Sequence, residues 1–481
     1  MMFTRKVARK STRQLRRNCR HLQSSIVSTR SVSSTPQQQQ QQDHGTDNNT
    51  TKVVKELPWQ YLRASDPSNY DNETYQRTDV VYNMENGKPS LDQQTDLSNK
   101  PSLQQVDIDD DKTAAPSYQL QWSDGTRSDH PIASLQDEYN RWQHRSPETR
   151  VLWSRLTEGD LRGTDSPMTI SYNELVQSDQ GMKFGLQTLY QYGILLVTET
   201  PLPDSNNAED DGAGIAALGA ALGGGKKKTL ASNSVLVNYK GGETDISLPH
   251  ATDGPLRTLY GTVWSTVSEG QTDGASVADS AYGQDALPLH TDMTYLRDPP
   301  GLQIFTMVQP AKQGGDSIFG DGFAMAQQLR ESNPKAFEVL SQTVRRYRCK
   351  DDAAGWHLEA WGPVIQLCPR GHEIVGIRHN DLDRLPDLPP NDDMRGEEEV
   401  NAFYEELFEA HKAWDALLAK DESRLVIKLQ PGETMVVANQ RCMHGRYSFT
   451  SDSDHPRSVM GCYIGQDELY SRMRMEGLYL H

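Results

Sequence analysis

The sequence has few cysteines, and none of them forms a recognisable motif. Five cysteines occur in 481 residues, and no two are spaced as C-x-x-C. This scatter argues against a disulfide framework or a zinc ribbon, and it fits a reducing compartment. The five positions are Cys19, Cys349, Cys368, Cys442 and Cys462.

The chain also lacks a membrane-length apolar run and an excess of positive charge. No stretch approaches the roughly 20 apolar residues of a transmembrane helix. The formal net charge is −17, which argues against general nucleic-acid binding. We therefore expect neither a membrane nor a nucleic-acid partner. A chain of 481 residues is long enough for one large catalytic domain and a smaller one. Its 35% of hydrophobic residues can supply a core.

Acidic residues are missing from the start of the chain. Residues 1–42 contain many Arg, Lys, Ser and Thr, but no acid and no apolar stretch of a secretory signal. This composition is typical of a mitochondrial transit peptide, and a disordered basic tail is the alternative. We expect residues 1–42 to be a targeting segment and the protein to reside in the mitochondrial matrix.

Composition divides the rest of the chain into three parts. Residues 43–116 have few apolar side chains to offset the entropy of ordering, so we expect a mostly disordered linker. Residues 117–165 begin with alternating Tyr118, Leu120 and Trp122 and a turn sequence "SDG", which predict a hairpin in a small N-terminal β-rich domain. Residues 166–481 contain the catalytic domain.

Short strand-like runs dominate the catalytic domain. Runs such as "LQIFTMVQ" and "TMVVANQR", separated by turn residues, favour a β-sandwich or barrel. Helical patterns cover 323–342, 397–420 and 467–478. We therefore expect an α+β fold with helices inserted into a β core. Residues 204–235 resemble an inserted loop, to which the sequence assigns no role.

The segment "LPLHTDMTYL" places an imidazole and a carboxylate two residues apart. On a strand, His290 and Asp292 would point to one face, with Thr291 pointing away. An isolated H-x-D is usually structural, but His444 ends another apolar run in "VVANQRCMHGRYSF". Two His and one carboxylate form the facial triad of non-haem iron(II) oxygenases, which leaves three metal positions open.

A cation and a hydroxyl complete this pattern. Arg457 lies 13 residues beyond His444 and enters a new strand, where its planar fork could bind the distal carboxylate of a 2-oxo acid. Ser317, in "GGDSIFGDGF", could add a hydroxyl donor. Each residue alone is ordinary, so the ordered set carries the interpretation.

The motifs "PLHTDMTYLRDPPGLQIF", "QGGDSIFGDGFAMAQQL", "GIRHNDLDR", "ANQRCMHGRYSF" and "RSVMGCYI" resemble the 2-oxoglutarate-dependent oxygenases of carnitine biosynthesis, within the taurine dioxygenase-like superfamily. The resemblance extends from about Met168 to the C-terminus. It implies a double-stranded β-helix (jelly-roll) core that uses Fe(II), 2-oxoglutarate and O₂, with ascorbate as a supporting reductant. It also implies iron ligands at His290, Asp292 and His444, and 2-oxoglutarate contacts at Ser317 and Arg457.

The resemblance further implies a substrate with a quaternary trimethylammonium group. Such a cation donates no hydrogen bond, so aromatic faces are its natural receptor. The family's aromatic cage falls on Tyr260, Trp264, Tyr282 and Tyr463. Asn380 matches a residue near the polar end of the substrate, and Asn439 has either a site role or a structural one.

Two activities occur in this family. The run "DSAYGQDALPLHTDMTYLRDP", the segment "GIRHNDLDR" and the transit-like leader favour hydroxylation of N6,N6,N6-trimethyllysine to 3-hydroxy-trimethyllysine. Hydroxylation of gamma-butyrobetaine to carnitine is the alternative. A methyl-lysine-binding module and an inactive homologue are rivals from other classes. The expected partner is a small trimethylammonium amino acid, and a homodimer is compatible with the sequence.

The sequence departs from the family at two places. The small N-terminal domain of the family normally binds zinc through Cys and His, but no cysteine lies between Cys19 and Cys349. We therefore expect the zinc ligands to be lost. Gln440 stands where the family usually has Trp.

Overall fold

A computed structural model describes most of the chain between Glu56 and Leu478. The predicted targeting segment and much of the predicted linker lie outside the described residues, as do Tyr260 and Tyr282. The described residues are 56–73, 75–77, 82–83, 88–89, 102–103, 117–122, 125–143, 150–163, 165–203, 212–223, 239–240, 245–246, 263–268, 283–352, 355–369, 373–389 and 396–478.

The N-terminal part of the described chain contains a three-stranded antiparallel sheet and two helices. The predicted hairpin is present, and Tyr118, Leu120 and Trp122 are all buried. A short β pair precedes the sheet. The elements are α1 (Trp59–Ala64), β1 (Tyr82–Asn83), β2 (Lys88–Pro89), β3 (Ser102–Leu103), β4 (Ser117–Gln121), β5 (Arg127–Pro131) and α2 (Ile132–Gln143).

Helix α1 packs on this small domain, although the sequence placed it in a disordered linker. The Tyr61 hydroxyl donates to Glu138 at 2.6 Å, and the Arg63 guanidinium lies 4.7 Å from the ring centroid of Trp122. Leu62 is buried. The prediction for this segment was wrong because it used the average composition of residues 43–116, which are polar overall but contain the local apolar cluster "LPWQYL".

The catalytic part is built around two main sheets with helices on their outer faces. Its helices are α3 (Glu158–Arg162), α4 (Tyr172–Gln177), α5 (Asp179–Tyr192), α6 (Ala213–Gly223), α7 (Gly322–Ser332), α8 (Pro334–Gln342), α9 (Glu397–Leu418) and α10 (Gln466–Met475). Its strands are β6 (Thr169–Ser171), β7 (Ile194–Thr198), β8 (Tyr239–Lys240), β9 (Asp245–Ile246), β10 (Trp264–Ser268), β11 (Leu287–His290), β12 (Leu302–Gln309), β13 (Gln313–Gly314), β14 (Ser317–Asp321), β15 (Arg345–Asp351), β16 (Trp356–Gly362), β17 (Ile365–Leu367), β18 (Ile374–Ile377), β19 (Leu425–Ile427), β20 (Thr434–Ala438), β21 (Cys442–Arg446), β22 (Phe449–Thr450) and β23 (Arg457–Ile464).

The two sheets form the predicted jelly-roll. One sheet has the order β10-β23-β12-β20-β7-β6, and the other has the order β11-β21-β14-β19. Their strands pair antiparallel, except that β6 pairs with β7 in parallel. Their inner faces meet in an apolar layer, where the rings of Phe305 and Phe319 stack with centroids 6.2 Å apart. The expected α+β class with a double-stranded β-helix core is confirmed. Most strands that are neighbours in these sheets are distant in the sequence, so residues from distant parts of the chain meet between the sheets.

Helices cover both outer faces, and three of them correct the sequence analysis. Residues 213–223, expected in a loop, form α6, whose Ile215, Leu218 and Leu222 are buried against the six-stranded sheet. The helix predicted over 323–342 is two helices, α7 and α8. Asn333 separates them and caps α8 by accepting from the Ala336 amide at 3.1 Å, with Pro334 in the first turn.

Residues 150–163 pack against the jelly-roll, although the sequence assigned them to the small N-terminal domain. Trp153 Nε1 donates to the Tyr192 carbonyl at 2.8 Å, and Leu161 is fully buried in the core between the sheets. Among the helices that the structure describes, none is both long and apolar enough to cross a membrane.

Candidate active site

Three residues from two strands and a turn converge between the sheets. His290, the last residue of β11, lies directly opposite His444 in β21, with ring centroids 4.4 Å apart. Asp292 Oδ1 is 3.3 Å from His290 Nε2 and 3.5 Å from His444 Nε2. Because the ligand atoms all lie within 4.8 Å of one another, one ion could contact all three.

Asp292 reaches the centre because the backbone turns after β11. The alternation of side chains along a strand does not account for its position. The strand ends at His290, and Met293 takes a left-handed conformation with φ 56°. The side chain of Asn439 clamps the turn: its Oδ1 accepts from the Asp292 amide at 2.8 Å, and its Nδ2 donates to the Asp292 carbonyl at 3.1 Å. Thr291 points away, as predicted, and hydrogen-bonds the backbone of His379.

The two imidazoles direct ring nitrogens to the centre. His290 Nδ1 donates to the Pro288 carbonyl at 2.8 Å, so Nε2 is the nitrogen that faces Asp292. Burial lowers the pKa of His290, but the hydrogen bond with Asp292 and the charge of Asp292 outweigh burial and raise that pKa, so a bound metal would displace the Nε2 proton. Burial raises the pKa of Asp292, but the charge of His444 and the hydrogen bond with His290 outweigh it and lower that pKa to about 2. Burial lowers the pKa of His444 to about 4. Two imidazole nitrogens and one carboxylate oxygen on one side of the centre fit the facial-triad metals, iron(II) among them.

A cavity of about 400 Å³ opens beside the triad. This volume is in the usual range for a small-molecule site. Every described residue that the sequence assigned to the site lines this cavity: His290, Asp292, His444, Ser317, Arg457, Trp264, Asn380 and Tyr463.

Ser317 and Arg457 lie in this cavity as buried polar residues. Both are at most 6% exposed. Burial, and then the charge of Arg446, lower the pKa of Arg457 to about 9. Within the described part of the chain, no group accepts a hydrogen bond from Arg457 Nε. Such a site suits an anion that would supply the missing acceptor.

An aromatic wall, formed by Trp264 and Tyr463, also lines the cavity. Their ring centroids are 6.0 Å apart and the planes are tilted by 36°. The Tyr463 hydroxyl donates to Asp292 Oδ2 at 2.9 Å. This arrangement brings together two of the four predicted cage residues, while Tyr260 and Tyr282 fall outside the described residues.

Asn380 and Asp383 form a polar part of the cavity lining. Asn380 Nδ2 donates to Asp383 Oδ2 at 3.0 Å, and the Thr294 hydroxyl donates to the same oxygen at 2.9 Å. Asn380 Oδ1 accepts from the Leu382 amide, which fixes the amide orientation. The cavity therefore offers the Asp383 carboxylate next to Asn380, whose side-chain amide was predicted to bind the substrate.

Residues 155–463 match the family described as taurine catabolism dioxygenase TauD, TfdA family. The chain belongs to this family. Trimethyllysine dioxygenase, mitochondrial, of Gallus gallus is 26% identical over 84% of this chain and 81% of its own length. The protein of the same name from Homo sapiens is 26% identical over 84% of the chain and 80% of its own length. Gamma-butyrobetaine dioxygenase of Homo sapiens is 31% identical over 45% of the chain and 53% of its own length.

Among the cavity residues that the sequence analysis of this TauD/TfdA family member missed are Arg446, Asp383 and Gln303. Arg446 follows His444 by two positions on β21, so strand alternation was a usable signal. Its Nη2 donates to the carbonyls of Gly283 and Asp285. Asp383 stands in the quoted segment "GIRHNDLDR" but has no motif of its own. Gln303 reaches the site only through the register of β12.

Proposed function

We propose that the chain is an Fe(II)- and 2-oxoglutarate-dependent dioxygenase that hydroxylates N6,N6,N6-trimethyllysine to 3-hydroxy-trimethyllysine. The observation that carries this proposal is a single cavity with a triad of ligands, a buried cation, an aromatic wall and a carboxylate. Relatives named trimethyllysine dioxygenase, similar over most of the chain, support the same substrate.

His290, Asp292 and His444 would hold the iron, and three of its positions would stay open. Arg457 and Ser317 would bind the distal carboxylate of 2-oxoglutarate. Bound iron, together with 2-oxoglutarate and O₂, supplies the oxidising chemistry that C–H hydroxylation needs. The protein residues would bind and orient the reactants.

The walls of the cavity suit the two ends of trimethyllysine. The faces of Trp264 and Tyr463 would receive the trimethylammonium group by cation–π attraction. Asn380 would bind the carboxylate of the amino acid, and Asp383 its α-ammonium group. Gamma-butyrobetaine has no α-ammonium, so a carboxylate at this end favours trimethyllysine over the alternative substrate.

We further propose that the protein acts in mitochondria as the first hydroxylase of carnitine biosynthesis, with ascorbate as a supporting reductant. The leader composition and the word mitochondrial in the names of the relatives support this location. Import of the full-length chain fused to a fluorescent protein, compared with a chain lacking residues 1–42, tests it.

The substrate proposal is tested by product identification. Purified Fe(II)-loaded protein is incubated with 2-oxoglutarate, O₂ and either trimethyllysine or gamma-butyrobetaine. We expect a product one oxygen atom heavier from trimethyllysine, with equimolar succinate. Preferential hydroxylation of gamma-butyrobetaine would favour the alternative, and absence of both products would contradict the proposed activity.

A further inference from the structure

We propose that Gln303 and Tyr463 are positioning residues for the metal ligand Asp292. They hold its Oδ2 atom, so that Oδ1 alone faces the ion. This inference rests on the proposed iron-binding function and assigns a role to Gln303, to which the sequence analysis gave none.

The two donors come from neighbouring strands in direct register. Gln303 in β12 lies opposite Tyr463 in β23, so both side chains project from the same face of the six-stranded sheet. Both residues are buried, at 5% and 6% exposure. The Tyr463 hydroxyl is 2.9 Å from Asp292 Oδ2, and Gln303 Nε2 hydrogen-bonds the same oxygen.

The two oxygens of Asp292 therefore have separate tasks. Oδ1 faces both imidazole Nε2 atoms, at 3.3 and 3.5 Å. Oδ2 receives two buried donors on the far side. Binding an ion through both oxygens would cost Asp292 these hydrogen bonds and leave the donors unsatisfied in a buried site. Gln303 and Tyr463 thus favour one-oxygen coordination, which keeps a metal position open.

The chemistry of Gln303 agrees with this task. An ionised carboxylate only accepts hydrogen bonds, so the amide must turn its Nε2 toward Asp292. Its Oε1 is then left buried without a hydrogen-bond partner among the described residues. A strand residue that served packing alone would not need this orientation, whereas a donor to Asp292 does.

Tyr463 also joins the aromatic wall to the metal ligand. Its ring lies 6.0 Å from the ring of Trp264, while its hydroxyl contacts Asp292. One side chain therefore contributes both to the proposed receptor for the trimethylammonium group and to the orientation of the carboxylate. A substrate that contacts the Tyr463 ring would therefore contact the same side chain that orients Asp292.

The test measures metal binding, without turnover. Co(II) is titrated into the metal-free full-length protein, and its affinity and visible absorption spectrum are recorded. Loss of an outer hydrogen-bond partner typically weakens metal binding roughly 10- to 100-fold. We expect Co(II) affinity to fall by this factor in Gln303→Leu and in Tyr463→Phe. The second variant keeps the aromatic ring. We also expect a changed Co(II) spectrum, because a released Oδ2 can join the coordination.

Two further variants make the result specific. Gln303→Glu has nearly the same shape but places a carboxylate against Asp292, so it should perturb Co(II) binding at least as much as Gln303→Leu. Thr306→Val is the control, because Thr306 is buried on the same strand and bonds Thr434 instead of the site. It should leave the affinity and the spectrum unchanged.

Unchanged Co(II) affinity and spectrum in folded Gln303→Leu, Gln303→Glu and Tyr463→Phe would overturn the inference. If the wild-type protein binds Co(II) and turns over, that result would leave the proposed function intact. If the wild-type protein shows no Co(II) binding that depends on His290 and Asp292, the proposed function itself fails.

Discussion

His290 and His444 are cross-strand neighbours on β11 and β21, with ring centroids 4.4 Å apart. Their pairing depends on the sheet order, because β21 lies next to β11 although the two strands are far apart in the chain. The jelly-roll thus assembles the proposed metal centre. No local segment contains more than two of its ligands.

Removal of a triad residue should abolish turnover. We expect His444→Ala or Asp292→Ala to lower trimethyllysine-dependent succinate formation by at least about 100-fold, because loss of a hydrogen-bond partner of a metal ligand alone costs roughly 10- to 100-fold. Succinate formation and bound iron are measured together. His357→Ala, at a largely exposed histidine, is the control and should retain full activity. Undiminished succinate formation in either triad variant would refute the ligand assignment.

Arg457 should control affinity for 2-oxoglutarate. Arg457→Gln removes a buried charged donor, for which about 1.5–3 kcal/mol is usual, or roughly 10- to 150-fold in Kd. We expect this weakening for 2-oxoglutarate and for its analogue N-oxalylglycine, measured by calorimetry on the metal-loaded protein. Arg346→Gln breaks only a partly exposed ion pair with Glu359 and should leave both affinities unchanged. Equal affinity in Arg457→Gln and the wild type would place the carboxylate elsewhere.

Asp383 should discriminate between the two candidate substrates. Asp383→Asn keeps a side-chain acceptor for Thr294 but loses the negative charge. We expect KM for trimethyllysine to rise roughly 10-fold or more, since a charged hydrogen bond contributes about 1.5–3 kcal/mol. Any turnover of gamma-butyrobetaine, which has no α-ammonium, should be unaffected. Equal changes with both compounds would point to a general effect on the cavity and against ammonium recognition.

His411 should make stability depend on pH. Burial, followed by the charge of Arg345, lowers the pKa of His411 to about 3, and its Nε2 accepts from Arg345. The unfolded chain binds this proton at a pKa of about 6.5. The stabilising contribution is complete above that pH and decreases as the pH falls toward 3, by up to about 1.4 kcal/mol per unit.

Urea unfolding between pH 7 and 4 tests the role of His411. His411→Gln keeps an acceptor for Arg345 and removes the titration, so its free energy of unfolding should fall less steeply with decreasing pH than that of the wild type. Parallel pH profiles in the two proteins would show that His411 does not titrate in this way.

The sequence was informative where chemistry demands particular residues in order. His290, Asp292, His444, Ser317 and Arg457 were identifiable because metal and 2-oxo acid binding need those side chains, and all five line one cavity. The reasoning about Asp292 was nonetheless geometrically wrong. It assumed a continuous strand, whereas the position of Asp292 depends on the turn that Asn439 holds.

Other features depend on long-range packing and gave no local signal. Helix α6 has an Ala- and Gly-rich sequence without a polar face, and burial against the six-stranded sheet stabilises it. Gln303 belongs to an ordinary apolar strand, and only the register with β23 brings it to Asp292. Asp383 becomes part of the site through the conformation of one loop.

Phe305 contacts both the apolar layer and the proposed metal centre. Its ring centroid lies 6.2 Å from that of Phe319 and 6.4 Å from that of the His444 imidazole. A change in the size of this side chain, made to raise thermostability, would therefore also alter the surroundings of a proposed metal ligand. Variants of buried residues in this molecule should therefore be screened for activity as well as for thermal stability.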